Sequence, residues 1–251
     1  LNPLDQVLLF FISLAANALS AMAGGGAGLI QLPALIFLGL PFAVALVTHK
    51  IASVALGIGA TLRHLKEGNT EWKFSLFVLA CGLPGVLVGA SLILQIPDRV
   101  AEIALGVLTA ALGLYSWSRS GFGQRFEKLH RNFRGYVVGG GTLFVLGILN
   151  GSLTSGTGLF VTIWLIRWFG LDYKRAVACT LILVGLFWNG TGALALTWLG
   201  EVQWDWLPAL ILGSLLGGYA GAHLAIVRGN RLIKRVFEWV TVVIGIKLVI
   251  G

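Results

Sequence analysis

Apolar residues run on in this chain for far longer than a soluble helix or strand requires. Stretches free of Asp, Glu, Lys and Arg cover residues 6–49, 74–97, 135–166, 176–200 and 206–227, and a bilayer-spanning helix takes about 20 apolar residues. Several transmembrane helices follow. The runs resolve into spans at 5–38, 43–62, 73–95 and 99–117, then at 135–168, 174–198, 205–227 and 231–250. The first span of each set is broken by small residues, "AMAGGGAG" at 21–28 and "NGSLTSGTG" at 150–158.

The two sets are copies of one pattern. Sliding the chain by about 130 positions pairs Gly26 and Gly28 with Gly156 and Gly158, Ala45 with Ala176, and Gly59 with Gly190. The match continues with Trp72 on Trp204, then Gly85, Gly89 and Ala90 on Gly217, Gly221 and Ala222. A duplicated four-segment unit is the reading, and self-similarity at a fixed offset is its signature. The chain divides into a first repeat at 1–118, a polar and basic linker at 119–134, and a second repeat at 135–251.

Charge decides how the broken segments run. If each crosses the membrane once, basic loops fall on both sides in similar number. If each dips in and returns, every Lys and Arg except Lys50, Arg99 and Lys247 lies on the linker side. The positive-inside rule selects the second arrangement, with the linker cytoplasmic and both chain ends outside. Trp198, Trp204 and Trp206 then form an outer interfacial belt. Each unit crosses three times, an odd number, so the second sits upside down relative to the first. The expected fold is an all-α, multi-pass integral protein of the cell (inner) membrane. It consists of two inverted repeats, each a re-entrant broken segment plus three transmembrane helices, the plan of many secondary transporters. One strain remains: the first arm, 5–23, is nearly a full span, while its return arm, 29–38, covers about 15 Å. A steep tilt of the first arm has to absorb the difference.

Composition agrees with lipid as the solvent. Charged residues make up 11% of the chain and mean hydropathy is +0.89, whereas soluble domains carry about 25% charged residues. The net charge of +8 lies between apolar spans and not on a soluble face, so nucleic acid is not an expected partner. Residues 7–23 have the outline of a signal peptide, but Asp5 precedes them where a basic residue belongs, and the apolar run continues past Ala23. Cys81 and Cys179 are isolated in apolar runs, and four histidines without ligand spacing imply no metal and no cofactor. The lack of a GxxxxGK[ST] loop excludes an ATPase domain of its own.

Unwound backbone at membrane depth is tolerated only against protein or a water-filled cavity. Gly24, Gly25, Gly26 and Gly28 on one side, and Asn150, Thr154, Ser155, Gly156, Thr157 and Gly158 on the other, are therefore the candidate site lining. Both breaks precede a short helical arm, whose free N–H groups favour an anion. The bland alternative is close helix packing through small residues. Lys50, with His49 beside it, lies inside the second span, where an ionised side chain costs about 2.5–3.5 kcal/mol. A transported anion would be its natural partner; snorkelling to the outer interface is the alternative. Asn189 in "FWNGTG" is either interhelical glue or site, and Gln31 is a further candidate. Arg99 with Glu102, and Arg235 with Glu238, have the spacing of local pairs. His64 and His130 belong to cytoplasmic loops, and His223 reads as a packed interfacial histidine.

The stretch "GGGAGLIQLPALIFLGLP", the following Ala45-x-x-Thr48, and GxxxGA at Gly85–Ala90 with its second copy at Gly217–Ala222 together resemble the TauE/SafE family of sulfite exporters and organosulfur anion permeases. The resemblance covers nearly the whole chain. It implies movement of a small sulfur-containing anion such as sulfite, sulfoacetate or another sulfonate, with the glycine-rich motifs of both halves at the site. His49 stands where the family usually has a small hydroxyl residue. A membrane-embedded enzyme is disfavoured, because no intramembrane carboxylate offers acid–base chemistry. Carrier and passive channel both stay open at this point, as does the oligomeric state.

Overall fold

A computed structural model of the chain describes residues 3–67, 71–92, 123–153 and 156–250, with single positions between 103 and 118. All regular structure among them is helical. The first half holds α1 (Pro3–Ala23), α2 (Gly28–Phe37), α3 (Phe42–His64) and α4 (Trp72–Leu92). The second opens with α5 (Phe133–Leu153) and α6 (Thr157–Arg167). Then α7 (Tyr173–Thr180) runs through a π-helical stretch, Leu181–Trp188, into α8 (Asn189–Leu199), followed by α9 (Leu207–Arg228) and α10 (Asn230–Ile250). The expected span 99–117 falls largely outside the described residues, as do Arg99 and Glu102.

Among the described residues, six helical segments are long and apolar enough to cross a bilayer: Leu4–Ala23, Val44–Glu67, Trp72–Leu92, Phe133–Ser152, Tyr173–Trp198 and Trp204–Arg228. Their outward faces remain apolar, with Leu8 and Phe11 on α1, Leu76 and Leu87 on α4, Val137 and Val145 on α5, and Leu212 and Leu216 on α9 all exposed. Lipid is the medium that such a surface suits. α10 carries Arg231, Lys234, Arg235, Glu238 and Lys247 and is not among the six.

Both broken segments fold back on themselves. Gln31 on α2 donates through Nε2 to Ser13 Oγ on α1 at 3.3 Å, and accepts at Oε1 from Asn17 at 3.2 Å; Leu32 and Leu35 share a core cluster with Leu9. Gln31 could not reach Ser13 if the helix continued straight past the glycines. In the second half, the indoles of Trp164 and Trp168 on α6 donate to the carbonyls of Gly139 and Gly135 on α5, at 3.4 and 2.9 Å. The shorter arm runs back along the longer one in each case.

The two halves grip each other reciprocally. α1 packs most extensively against α9, and α4 against α5. A Cβ at Gly217 would lie 2.4 Å from the Leu14 carbonyl oxygen, and one at Gly221 would lie 2.2 Å from that of Ala18. On the other side, Cβ atoms at Gly85 and Gly89 would lie 2.2 and 2.0 Å from the carbonyl oxygens of Phe144 and Ile148. Gly85 and Gly89 are the sequence mates of Gly217 and Gly221, and Leu14 and Ala18 stand at nearly the same offset, about 130 positions, from Phe144 and Ile148. Only glycine admits backbones this close.

Several local expectations change. Trp198 and Trp204 are exposed, but Trp206 is 7% exposed and packs with Leu9, Leu35 and Leu210. Glu238 pairs with Lys234 rather than Arg235, since the i, i+4 position brings the ammonium over the carboxylate, and Ser116 donates to the same oxygen at 3.1 Å. His64 is no loop residue: it closes α3 and is 4% exposed. His223 is exposed, not packed, and its Nδ1 accepts from Arg63 Nε at 3.1 Å. The π-helical stretch is also new. Its sequence, LILVGLFW, has no polar face from which a change of period could be read.

Candidate functional site

The first break is built by three glycines in succession. α1 ends with the Ser20 carbonyl accepting from both Gly24 and Gly25 N–H groups at 2.9 Å. Gly24, Gly25 and Gly26 then take φ of 88°, 137° and 98°, a region that L side chains seldom enter. α2 starts after Ala27 with no side-chain cap. In the second half Gly156, at φ 78°, precedes α6, also without a side-chain cap. Thr154 and Ser155 lie outside the described residues.

The breaks touch each other. A Cβ at Gly25 would lie 2.7 Å from Gly158 Cα. The Thr162 hydroxyl on α6 donates to the Gly24 carbonyl at 2.9 Å and lies 2.9 Å from Thr180 Oγ1. Against this junction opens a cavity of about 30 Å³. Ser20, Gly25, Gly26 and Gly28 form one wall, His49 and Ser53 of α3 a second, and Asn150, Thr157 and Gly158 a third. Thr180, Gly185 and Asn189 close it from the α7–α8 segment. Ser53 is the central residue of Phe42–His64, so the cavity lies at mid-height of that span. Among the described residues, no Asp, Glu, Lys or Arg lines it.

Of the residues expected from sequence, Gly25, Gly26, Gly28, His49, Asn150, Thr157, Gly158 and Asn189 come together here. Gly24, Gln31, Lys50 and Gly156 do not line the cavity. Lys50 is fully buried behind it, with Nζ donating to the Asn150 carbonyl at 2.5 Å. Gly192 makes room for that stem: a Cβ there would lie 2.4 Å from Lys50 Cε. Asn150 is thus a hinge between the lysine and the wall. Its Nδ2 donates to Thr157 Oγ1 at 2.9 Å and to Asn189 Oδ1 at 3.1 Å. With its oxygen so engaged, Asn189 has its NH₂ group to offer a ligand.

Gln31 meets the cavity wall at His49. Its Oε1 accepts from Asn17 and lies 3.1 Å from His49 Nδ1, so Nδ1 carries the proton in the neutral ring and Nε2 is left as acceptor. Ser13, Ser214 and Asn17 extend this buried network into α9. Sequence reasoning missed Ser20, Ser53, Thr180 and Gly185 as lining residues. Two of them left a trace: Ser20 falls on Asn150 at the repeat offset, and Ser53 is one helical turn beyond His49.

The described residues contain no group of three or more His, Cys, Asp or Glu able to hold a metal ion. The cavity is ringed by hydrogen-bonding groups and two helix starts, features that can hold a small anion.

Comparison with known proteins finds relatives described as probable membrane transporters. A "Probable membrane transporter protein" of Haemophilus influenzae is 29% identical over 230 residues, covering 90% of this chain and 88% of that protein. The probable membrane transporter protein YfcA of Escherichia coli K12 is 27% identical, covering 98% and 90%. YunE of Bacillus subtilis, described in the same words, is 24% identical, covering 97% of each. No solved structure matches the chain. The model of the family described as "Sulfite exporter TauE/SafE" matches residues 9–248, nearly the whole length, and the chain belongs to that family.

Proposed function

We propose that this membrane transporter of the TauE/SafE family moves a small sulfur-containing anion, such as sulfite, sulfoacetate or a similar sulfonate, by alternating access of two inverted repeats. The observation that carries the reading is the meeting of two uncapped helix starts, α2 and α6, over one carboxylate-free cavity. The N–H groups of Leu29, Ile30 and Leu159 turn onto the carbonyls of Gly26, Ala27 and Gly156, so what the two starts offer is chiefly their dipoles, and each terminus favours an anion by about 0.3–1 kcal/mol, up to about 2 when partly buried. Ser20 Oγ is buried without a hydrogen-bond partner among the described residues, a donor that a ligand would satisfy. Lys50 supplies positive charge from behind the Asn150 carbonyl and offsets the cost of bringing an anion to mid-membrane.

The folded-back arms support paired re-entrant breaks, and the reciprocal glycine contacts support a two-fold relation between halves. The bias of basic residues to the linker side supports a cytoplasmic linker in an inner-membrane protein. Uptake of labelled sulfite and sulfoacetate by proteoliposomes tests the function. Flux that saturates and exchanges against internal anion is expected of a carrier, and linear flux would make it a channel. Gly25→Val and Asn189→Leu should each lower anion flux at least about ten-fold, the loss of one charge-assisted hydrogen bond or more. Unchanged flux in both would remove the cavity from the mechanism.

A further inference from the structure

On the other face of the α7–π segment lies a second cavity, of about 40 Å³. Thr180, Leu181, Val184 and Gly185 face the break, whereas Ala178, Cys179, Ile182 and Leu183 line this one. Glu71, Phe74 and Ser75 at the start of α4, Phe126 and Arg131 of the segment joining the halves, and Leu171 and Arg175 add the rest of its wall. The charges around it are unequally matched. Arg175 is paired with Asp172 at 2.5 Å and Glu71 with Lys128 at 3.2 Å, while Arg131 reaches Glu71 only at 3.9 Å. The Arg131 guanidinium sits 3.9 Å from the centroid of the Phe74 ring. Its Nε is buried with no hydrogen-bond partner among the described residues.

A buried donor left unmet is unfavourable, and a guanidinium backed by an aromatic face is suited to a planar or tetrahedral oxyanion. Glu71, whose carboxylate is held by Lys128, and Ser75 also line the cavity, and Phe74, Phe126, Leu171, Ala178, Ile182 and Leu183 make the apolar part of its wall. We propose that this cavity is a second binding site, taking an organic anion whose acidic head bonds Arg131 Nε and whose short apolar tail lies against Phe74, Phe126 and Ile182. It stands apart from the break cavity and does not depend on the transport reading. An inorganic oxyanion would use the arginine but leave the aromatic wall unfilled, so the site prefers organic over inorganic anions.

Cys179 lines the cavity and reports on it. In Cys81→Ser protein held in nanodiscs, propanesulfonate should slow maleimide modification of Cys179 several-fold, with sulfate less effective and neutral propanamide without effect. Arg131→Gln should abolish the protection and Asn189→Leu, which obstructs only the break cavity, should leave it intact. Equal protection by propanamide, or no protection by propanesulfonate, overturns the proposal. So does protection that survives Arg131→Gln but disappears in Asn189→Leu, because that would report the break cavity at a distance. If Arg131→Gln does not fold, the contrast between anion and amide in the parent protein carries the test. Protection without anion flux in proteoliposomes would sink the transport reading and leave this site standing.

Discussion

Gly25 carries two constraints at once, a φ of 137° and a backbone neighbour, Gly158, where a side chain would go. The strained φ alone costs about 1–3 kcal/mol for any other residue, and the clash adds to it. Gly25→Ala should therefore lower the melting temperature of the purified protein by several degrees, while Gly190→Ala, which meets nothing within 4 Å, should leave it unchanged. Lys50 makes a different prediction. Lys50→Met keeps most of the buried stem but removes the charge, so anion KM should rise about ten-fold or more, with folding preserved by size-exclusion profile. At His49 the proton question is concrete, because the ring is oriented by Gln31 and no carboxylate among the described residues lines the cavity. If anion flux is coupled to a proton gradient, His49→Ala should abolish that dependence; a gradient dependence that persists would place the coupling elsewhere.

Among elements, the helix pairs α1–α9 and α4–α5 rest on carbonyl oxygens pressed into glycine positions. Gly217→Val and its mate Gly85→Val are expected to reduce the monodisperse fraction on fluorescence-detected size exclusion to a similar degree. Leu212→Ala, on the exposed face of α9, should not. The small residues themselves were legible in the sequence, recurring at an offset of about 130, but which long arm each row of glycines meets was not. The eight lining residues that sequence reasoning placed in the cavity were legible as polar or glycine positions inside apolar runs. Ser20 and Thr180 were harder to see, since one hydroxyl in an apolar helix has no periodicity and helices tolerate it without function. The distance of Lys50 from the wall was not readable at all. It depends on Gly192, a residue from the other half, leaving space for the lysine stem. The π-helical stretch escaped because eight apolar residues fit either period.

For the molecule as a whole, the proposed topology is open to a direct check. In a background of Cys81→Ser and Cys179→Ser, single cysteines at Gln124 and Gln203 should react with a membrane-impermeant maleimide from opposite sides of the vesicle. Reaction from one side would remove the inverted arrangement. The reciprocal packing also bears on how the chain can be divided. Each half offers a row of glycines that only the long arm of the other half fills, so neither has a complete interior alone. Cut between residues 124 and 132 and produced as two polypeptides in the same cell, the halves should reassemble and support flux; produced singly, each should be degraded. The join between the halves is then a convenience of synthesis, and a gene encoding only one unit would have needed to place its product in the bilayer both ways up to make a working pair.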